Sequence, residues 1–234
     1  MRSDFSSFLA GLSKKILSFL FPEYCLSCGR YLSEGGLLCP ECERELPLNR
    51  NFCPLCARPY PEGAPPHPCG DCLSGRPFSR VLAPFLYEPP VSDWIKRFKF
   101  SEDFTLARAL SRLLRRYLPP DLSFDLVVPV PLGRKRLFKR GFNQSALLAR
   151  LAFGRLDEIL VRTRETPPQS ELSGAERRRN VRRAFSVRDE ARVFARRVLL
   201  IDDVMTTGAT VEECTRVLRA AGAREVTVAV LARA

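Results

Sequence analysis

The chain has 234 residues and is 45% hydrophobic, which suits one α/β domain with a small appendage. Lys and Arg outnumber Asp and Glu 38 to 26, a net charge of +12 that suits a polyanionic partner. No apolar run approaches the ~20 residues needed to cross a bilayer, which excludes a transmembrane segment.

In residues 1–24, Phe8, Leu9, Leu12, Ile16, Phe19 and Leu20 fall near one helical face, interrupted by Lys14 and Lys15. The stretch reads as an amphipathic helix docked on the protein's own core, with a membrane-surface helix as the alternative. It lacks the pattern of a cleaved signal peptide, so the chain is expected in the cytoplasm.

Residues 25–77 carry four Cys-x-x-Cys pairs: Cys25/Cys28, Cys39/Cys42, Cys53/Cys56 and Cys69/Cys72. Two cysteines three apart can turn both sulfurs toward one ion, and two such pairs complete a tetrahedron. Two structural zinc sites are therefore expected, and the segment is too short and polar to be stable without them. Sequential assignment gives Cys25, Cys28, Cys39 and Cys42, then Cys53, Cys56, Cys69 and Cys72; cross-bracing of alternate pairs is the other arrangement. A disulfide framework needs an oxidising compartment, for which no export signal is seen. His67 reads as an exposed loop residue, since Cys69 and Cys72 already complete the set. Cys214 reads as core.

Arg80–Tyr87 reads as a strand closed by Glu88-Pro89-Pro90. Val91–Phe100 intersperses Trp94, Ile95 and Phe98 with Lys96, Arg97 and Lys99. Thr105–Leu118 is an amphipathic helix stopped by Pro119-Pro120, with Leu106, Leu110, Leu113, Leu114 and Leu118 on its apolar side. Leu126–Val130 is a mostly apolar run of the kind a parallel sheet buries. A helix follows over Gln144–Phe153, then a charged connection, a strand from Val198, a helix, a cap at Gly222 and a last strand over Glu225–Leu231. Strand and helix alternate as in a parallel α/β sheet. Between Arg134 and Arg197 lie 18 basic and 7 acidic residues, a net +11 that accounts for nearly all of the excess charge.

The most informative run is Val198-Leu-Leu-Ile-Asp-Asp-Val-Met-Thr-Thr-Gly-Ala-Thr210. A buried strand ends in two carboxylates, and a loop of small hydroxyl residues opens a helix. Unpaired backbone N–H groups and hydroxyls at a helix start grip phosphate. Carboxylates at a strand end accept hydrogen bonds from vicinal sugar hydroxyls. Together these parts fit a phosphorylated sugar.

The run resembles the 5-phosphoribosyl-1-pyrophosphate (PRPP) motif of type I phosphoribosyltransferases. With the Cys-x-x-Cys front end, Pro129-Val-Pro131, Arg134-Lys-Arg136, Lys139-Arg-Gly-Phe-Asn-Gln144, Arg162-Thr-Arg164, Gln169 and Asn180, the chain from about Cys25 onward is similar to the ComF family (ComFC- and GntX-like proteins). The resemblance implies a type I phosphoribosyltransferase-like parallel sheet flanked by helices over residues 78–234, with a small N-terminal zinc-ribbon domain. It implies that Asp202 and Asp203 hold the ribose hydroxyls, and that Met205, Thr206, Thr207, Gly208, Ala209 and Thr210 wrap the 5-phosphate. Leu132–Arg140 corresponds to the pyrophosphate loop, with Arg136 and Arg140 as contacts because forked guanidinium groups match phosphate oxygens; a basic solvated loop or nucleic-acid patch is the competing reading. Asn143 and Gln144 read as residues that cap and orient the next helix. Residues 162–185 correspond to a mobile lid, with Arg164 and Gln169 as contacts, and Mg2+ is implied alongside PRPP. Tyr87, Trp94 and Phe98 lie where related enzymes build the acceptor-binding hood, although each such aromatic is more often simple core. Two functions follow from the resemblance. One is phosphoribosyl transfer to an acceptor with release of pyrophosphate, linked to DNA uptake. The other is a non-catalytic PRPP-binding, zinc-ribbon protein with single-stranded DNA and DNA-uptake proteins as partners.

Overall fold

The computed structural model describes residues 23–100, 104–164 and 181–234. The expected N-terminal helix, Gln169 and most of the expected lid lie outside the described residues. The chain forms two compact units that meet in sequence at Leu46 and Pro47.

The smaller unit is built around its cysteines. Cys25 begins a tight knuckle in which the Gly29 N–H donates to the Cys25 carbonyl at 2.9 Å and the Cys25 N–H to the Arg30 carbonyl at 2.8 Å. Gly29 sits at φ 72°, the left-handed conformation that the knuckle needs and glycine adopts freely. Helix α1 (Pro40–Arg44) starts at Cys39, with Pro40 in the first turn, where its missing N–H is no loss. Cys25, Leu32, Cys39 and Cys42 form this unit's core.

The larger unit repeats the device and then adds the α/β fold. A second knuckle runs through Cys53, with the Ala57 N–H donating to the Cys53 carbonyl at 2.9 Å. Helix α2 (Gly70–Leu73) starts at Cys69. Then follow β1 (Arg80–Leu82), β2 (Phe85–Leu86), α3 (Val91–Phe100), α4 (Phe104–Tyr117), β3 (Leu126–Pro129), α5 (Arg134–Arg140), α6 (Gln144–Phe153), β4 (Leu160–Arg162), β5 (Phe185–Val187), α7 (Glu190–Val193), β6 (Arg197–Met205), α8 (Ala209–Ala220) and β7 (Glu225–Arg233). The main sheet has the order β1-β7-β6-β3, with β2 also on β7, and every pairing in it is parallel. β4 and β5 form a separate antiparallel pair. This is a parallel α/β sheet with flanking helices, beside a cysteine-rich N-terminal region, as the sequence implies.

Period-two alternation decides what each sheet face meets. Val128, Val198, Leu200, Val226, Val228 and Val230 share one core cluster with Val211, Cys214 and Leu218 of α8. Cys53, Cys56, Cys69 and Cys72 belong to that same cluster, so the second cysteine quartet is part of the domain core. α4 and α6 pack on the sheet and on each other. The expected apolar side of α4, from Leu106 to Leu118, is buried throughout, and Cys214 is fully buried.

Three expectations are refined. The single strand over Arg80–Tyr87 is two short strands, because Pro84 has no N–H to extend the ladder. Asp202 and Asp203 do not end β6; the strand continues to Met205, pairing Asp202 with Val230, Val204 with Ala232 and Met205 with Arg233. The segment expected as a pyrophosphate loop becomes helical from Arg134 to Arg140. Trp94, Ile95 and Phe98 are core residues, Trp94 being only 3% exposed.

Leu200 is fully buried at the centre of the sheet. Leu200→Ala is expected to cost about 2–5 kcal/mol of stability, read from the shift of a urea unfolding midpoint.

Candidate functional site

The C-terminal edge of the parallel sheet opens into a cavity of ≈ 330 Å³. Such an edge is where open α/β sheets place their ligands. The cavity gathers Asp202 and Asp203 from β6, Met205 to Thr210 from the end of β6, the turn after it and the start of α8, and Arg136 and Arg140 from α5. Arg136 and Arg140 are four apart on a helix, which puts them on one face. Arg164 is described but does not line the cavity; its guanidinium donates to the Arg182 carbonyl at 3.0 Å.

The two carboxylates are held differently. Asp202 Oδ1 accepts from the Ser145 hydroxyl at 2.9 Å and from the Asp203 N–H at 2.9 Å. Asp203 Oδ1 accepts from the Val204 N–H at 2.7 Å, and its other oxygen pairs with Lys99 Nζ at 3.1 Å. Burial, and after it the neighbouring Asp203 carboxylate, push the Asp202 carboxyl up to about 7. A carboxylate kept partly protonated until a ligand brings donors or cations is common at binding sites.

Opposite charge is supplied by α5 and its neighbours. Arg140 donates to Gln144 Oε1 at 3.1 Å, and its own burial lowers its pKa. Gln144 Nε2 and Arg136 Nη2 are buried with no hydrogen-bond partner among the described residues. Unmet donors cost free energy, so two of them on one cavity mark a place where an acceptor-rich ligand fits. Asn143 caps α6, accepting from the Ser145 N–H at 3.0 Å while its amide donates to the Val130 carbonyl at 3.0 Å. Thus Asn143 caps the helix as the sequence suggested, and both Asn143 and Gln144 also line the cavity.

The loop between β6 and α8 depends on Gly208. Its φ is 85°, and a Cβ there would lie 2.5 Å from Met205 Cε. Met205 is buried beneath the turn, and Thr206, Thr207 and Thr210 all line the cavity. Lys99 and Ser145 line it as well and escaped sequence reading, and Arg162, read as the start of the Arg162-Thr-Arg164 segment and of the lid, lines it too. Lys99 and Ser145 sit in ordinary helical sequence, and only the fold brings them to the acids. Tyr87 also lines the cavity, whereas Trp94 and Phe98 do not.

The cysteines form two quartets, Cys25/Cys28/Cys39/Cys42 and Cys53/Cys56/Cys69/Cys72, which is the sequential pairing. None of the nine cysteines is in a disulfide. The Sγ···Sγ separations are 3.7 Å for Cys28 and Cys39, 3.7 Å for Cys53 and Cys72, and 3.6 Å for Cys56 and Cys69. A tetrahedron with Zn–S bonds of about 2.3 Å has edges of about 3.8 Å, so both quartets fit zinc and neither fits disulfides. Burial opposes ionisation of Cys25 and Cys53, yet surrounding backbone N–H groups bring both thiols down to about 6. Among those groups are Cys39 N–H, 3.4 Å from Cys25 Sγ, and Cys69 N–H, 3.3 Å from Cys53 Sγ. His67 stays out of the quartet, stacked on Tyr60 with ring centroids 4.6 Å apart.

Residues 16–73 match the family model of the double zinc ribbon domain, and residues 143–234 that of the phosphoribosyl transferase domain. The chain is 38% identical over 222 residues to the DNA utilization protein YhgH of Escherichia coli K12, covering 89% of each chain. It is 38% identical over 180 residues to Competence protein F of Haemophilus influenzae, covering 71% of this chain and 78% of that one. The chain belongs to the ComF family. Among solved structures, this ComF-family chain is similar to the allosteric regulatory enzyme of purine biosynthesis. The identity is 25% and the TM-score 0.37, over 53% of this chain and 25% of that one. No helix among the described residues is long and apolar enough to cross a membrane.

Two outcomes are expected. Metal analysis should find about two zinc ions per chain, and Cys28→Ser should lose one of them. The second concerns Asp202, whose native pKa of about 7 exceeds its usual 3.8. Between those values the native state holds more protons than the unfolded chain, so stability is lost as pH rises through that window. Asp202→Asn removes this cost and can keep both hydrogen bonds to Oδ1. In thermal scans of ligand-free protein, its melting temperature should exceed that of the wild type by a margin that is small near pH 4 and largest by about pH 8.

Proposed function

We propose that the cavity binds PRPP and that the protein transfers its phosphoribosyl group to an acceptor, releasing pyrophosphate. The observation that carries this reading is the convergence in one cavity of the paired acids, the Gly208 loop and the Arg136/Arg140 face. In this reading Asp202 and Asp203 accept the ribose 2- and 3-hydroxyls. The loop from Met205 to Thr210 presents N–H groups and hydroxyls to the 5-phosphate at the start of α8. Arg136 and Arg140 face the pyrophosphate, with the unmet Gln144 amide as a further donor.

Substitution at the anomeric carbon develops positive charge on the ribose ring as pyrophosphate departs. The work left to the protein is positioning and stabilisation of the leaving anion. Lys99 neutralises Asp203 in the free site and is in place to pass to an incoming phosphate oxygen. Magnesium, a hard cation suited to phosphate oxygens, would offset the charge of PRPP when bound with it, and Asp202 and Asp203 would contact the sugar rather than form a dedicated metal cage. The names of the relatives support a role in the use of DNA.

A second reading, PRPP binding without transfer in a protein that handles single-stranded DNA, has its own observation. Phe138 is 94% exposed on α5, among the exposed Arg134, Lys135 and Lys139. An exposed ring amid cations is what single strands stack on.

Calorimetry with PRPP and Mg2+ should show binding by the wild type that is lost in Asp202→Ala/Asp203→Ala, while circular dichroism stays unchanged. Unaltered affinity in the double variant would sink the site. Pyrophosphate release on adding nucleobases, amines or oligonucleotides separates the two readings: turnover supports transfer, and binding without turnover supports the second.

A further inference from the structure

Two arginines, one buried and one partly buried, connect the second cysteine quartet to the loop between β6 and α8. The first is Arg233, at the end of β7 and only 3% exposed. Its Nε donates to the carbonyl of Cys56 at 3.3 Å. Its Nη1 donates to the carbonyl of Met205 at 2.8 Å and also to that of Thr206. One guanidinium thus joins the knuckle of the quartet to the first two carbonyls of the loop.

The second is Arg76, which lies four residues after Cys72 and whose side chain is 11% exposed. It pairs with Asp71, inside the quartet's own helix α2, at 3.0 Å. It also pairs with Glu212 in the first turn of α8. Glu212 in turn stands against the turn itself: a Cβ on Gly208 would lie 3.2 Å from Glu212 Oε1. Arg233 therefore holds the loop where it leaves the strand, and Arg76 holds it where it enters the helix.

We propose that the second quartet, Cys53/Cys56/Cys69/Cys72, sets the conformation of the Met205–Thr210 loop through Arg233 and Arg76, so that loading of this metal site controls whether the loop can receive a phosphate. The proposal rests on reading the loop as a phosphate cradle, which it deepens. It assigns different jobs to the two quartets, since Cys25/Cys28/Cys39/Cys42 belongs to the other compact unit. It also explains why Cys53 to Cys72 is built into the domain core rather than set apart from it. Removing the guanidinium takes a charge-assisted bond from both carbonyls, although that of Met205 keeps the Ala234 N–H at 3.0 Å, and such a loss is enough to let a loop shift.

The test uses Arg233→Met and Arg76→Met, which leave all eight ligands intact. Hydrogen exchange by mass spectrometry reads the loop directly, zinc analysis reads the quartets, and calorimetry reads PRPP affinity. The proposal expects both variants to keep two zinc ions, to exchange faster in peptides covering 205–212 than wild type, and to show PRPP affinity lowered about tenfold or more. In Cys28→Ser, where only the second quartet is loaded, loop protection should match wild type and should fall in step with zinc withdrawn by a chelator. Wild-type protection of 205–212 in both arginine variants would overturn the proposal. So would faster exchange spread evenly over β3, β6 and β7, which marks general destabilisation. Because exchange is read without ligand, failure of the wild type to bind PRPP would refute the phosphate reading and leave the coupling separately decided.

Discussion

Everything at this site depends on keeping two adjacent carboxylates at the inner edge of a buried parallel strand. Successive side chains on a strand point to opposite faces, so Asp202 and Asp203 meet different surroundings although they are neighbours. Asp203 is neutralised by Lys99, while Asp202 is held by a hydroxyl and an amide and kept near its protonation point. Such an arrangement does not favour the free fold. It makes sense as a standing cost that a ligand rich in hydroxyls and accompanied by cations removes.

The surrounding structure follows from that demand. β6 lies between β7 and β3, where pairing on both sides fixes its register and with it which acid faces which partner. α6 is capped by Asn143 so that Ser145 meets Asp202. α5 turns Arg136 and Arg140 toward the cavity and leaves Phe138 in water. Gly208 admits the turn that leads from the acids to α8. Acids on one strand and guanidinium groups on a facing helix give the cavity two chemically distinct sides, one suited to hydroxyls and one to a polyanion.

Much of this was legible in the sequence. The helix over Gln144–Phe153 was readable to the residue, because Asn143 and Gly154 punctuate it. The cysteine spacing announced two metal quartets, and the four apolar residues from Val198 announced the central strand. What was not legible is long-range. Nothing local says that β6 runs on to Met205, since the bonds that carry it there come from β7. Lys99 and Ser145 are unremarkable in their own segments. Arg233 lies beyond the strand read over Glu225–Leu231, yet it ends β7 and its guanidinium reaches residues 28 and 177 positions away. The helical form of Arg134–Arg140 likewise depends on packing that sequence patterns do not name.

The central claim is that the β6 acids and the following loop together form a ribose-phosphate site. The measurement that bears on it most directly is an experimental structure of the protein with PRPP and Mg2+ bound. The account expects the 5-phosphate within hydrogen-bonding reach of the backbone N–H groups between Thr206 and Thr210, and the ribose hydroxyls on Asp202 and Asp203. PRPP seated elsewhere on the protein, or its phosphate on the loop with the ribose turned away from both carboxylates, would contradict it.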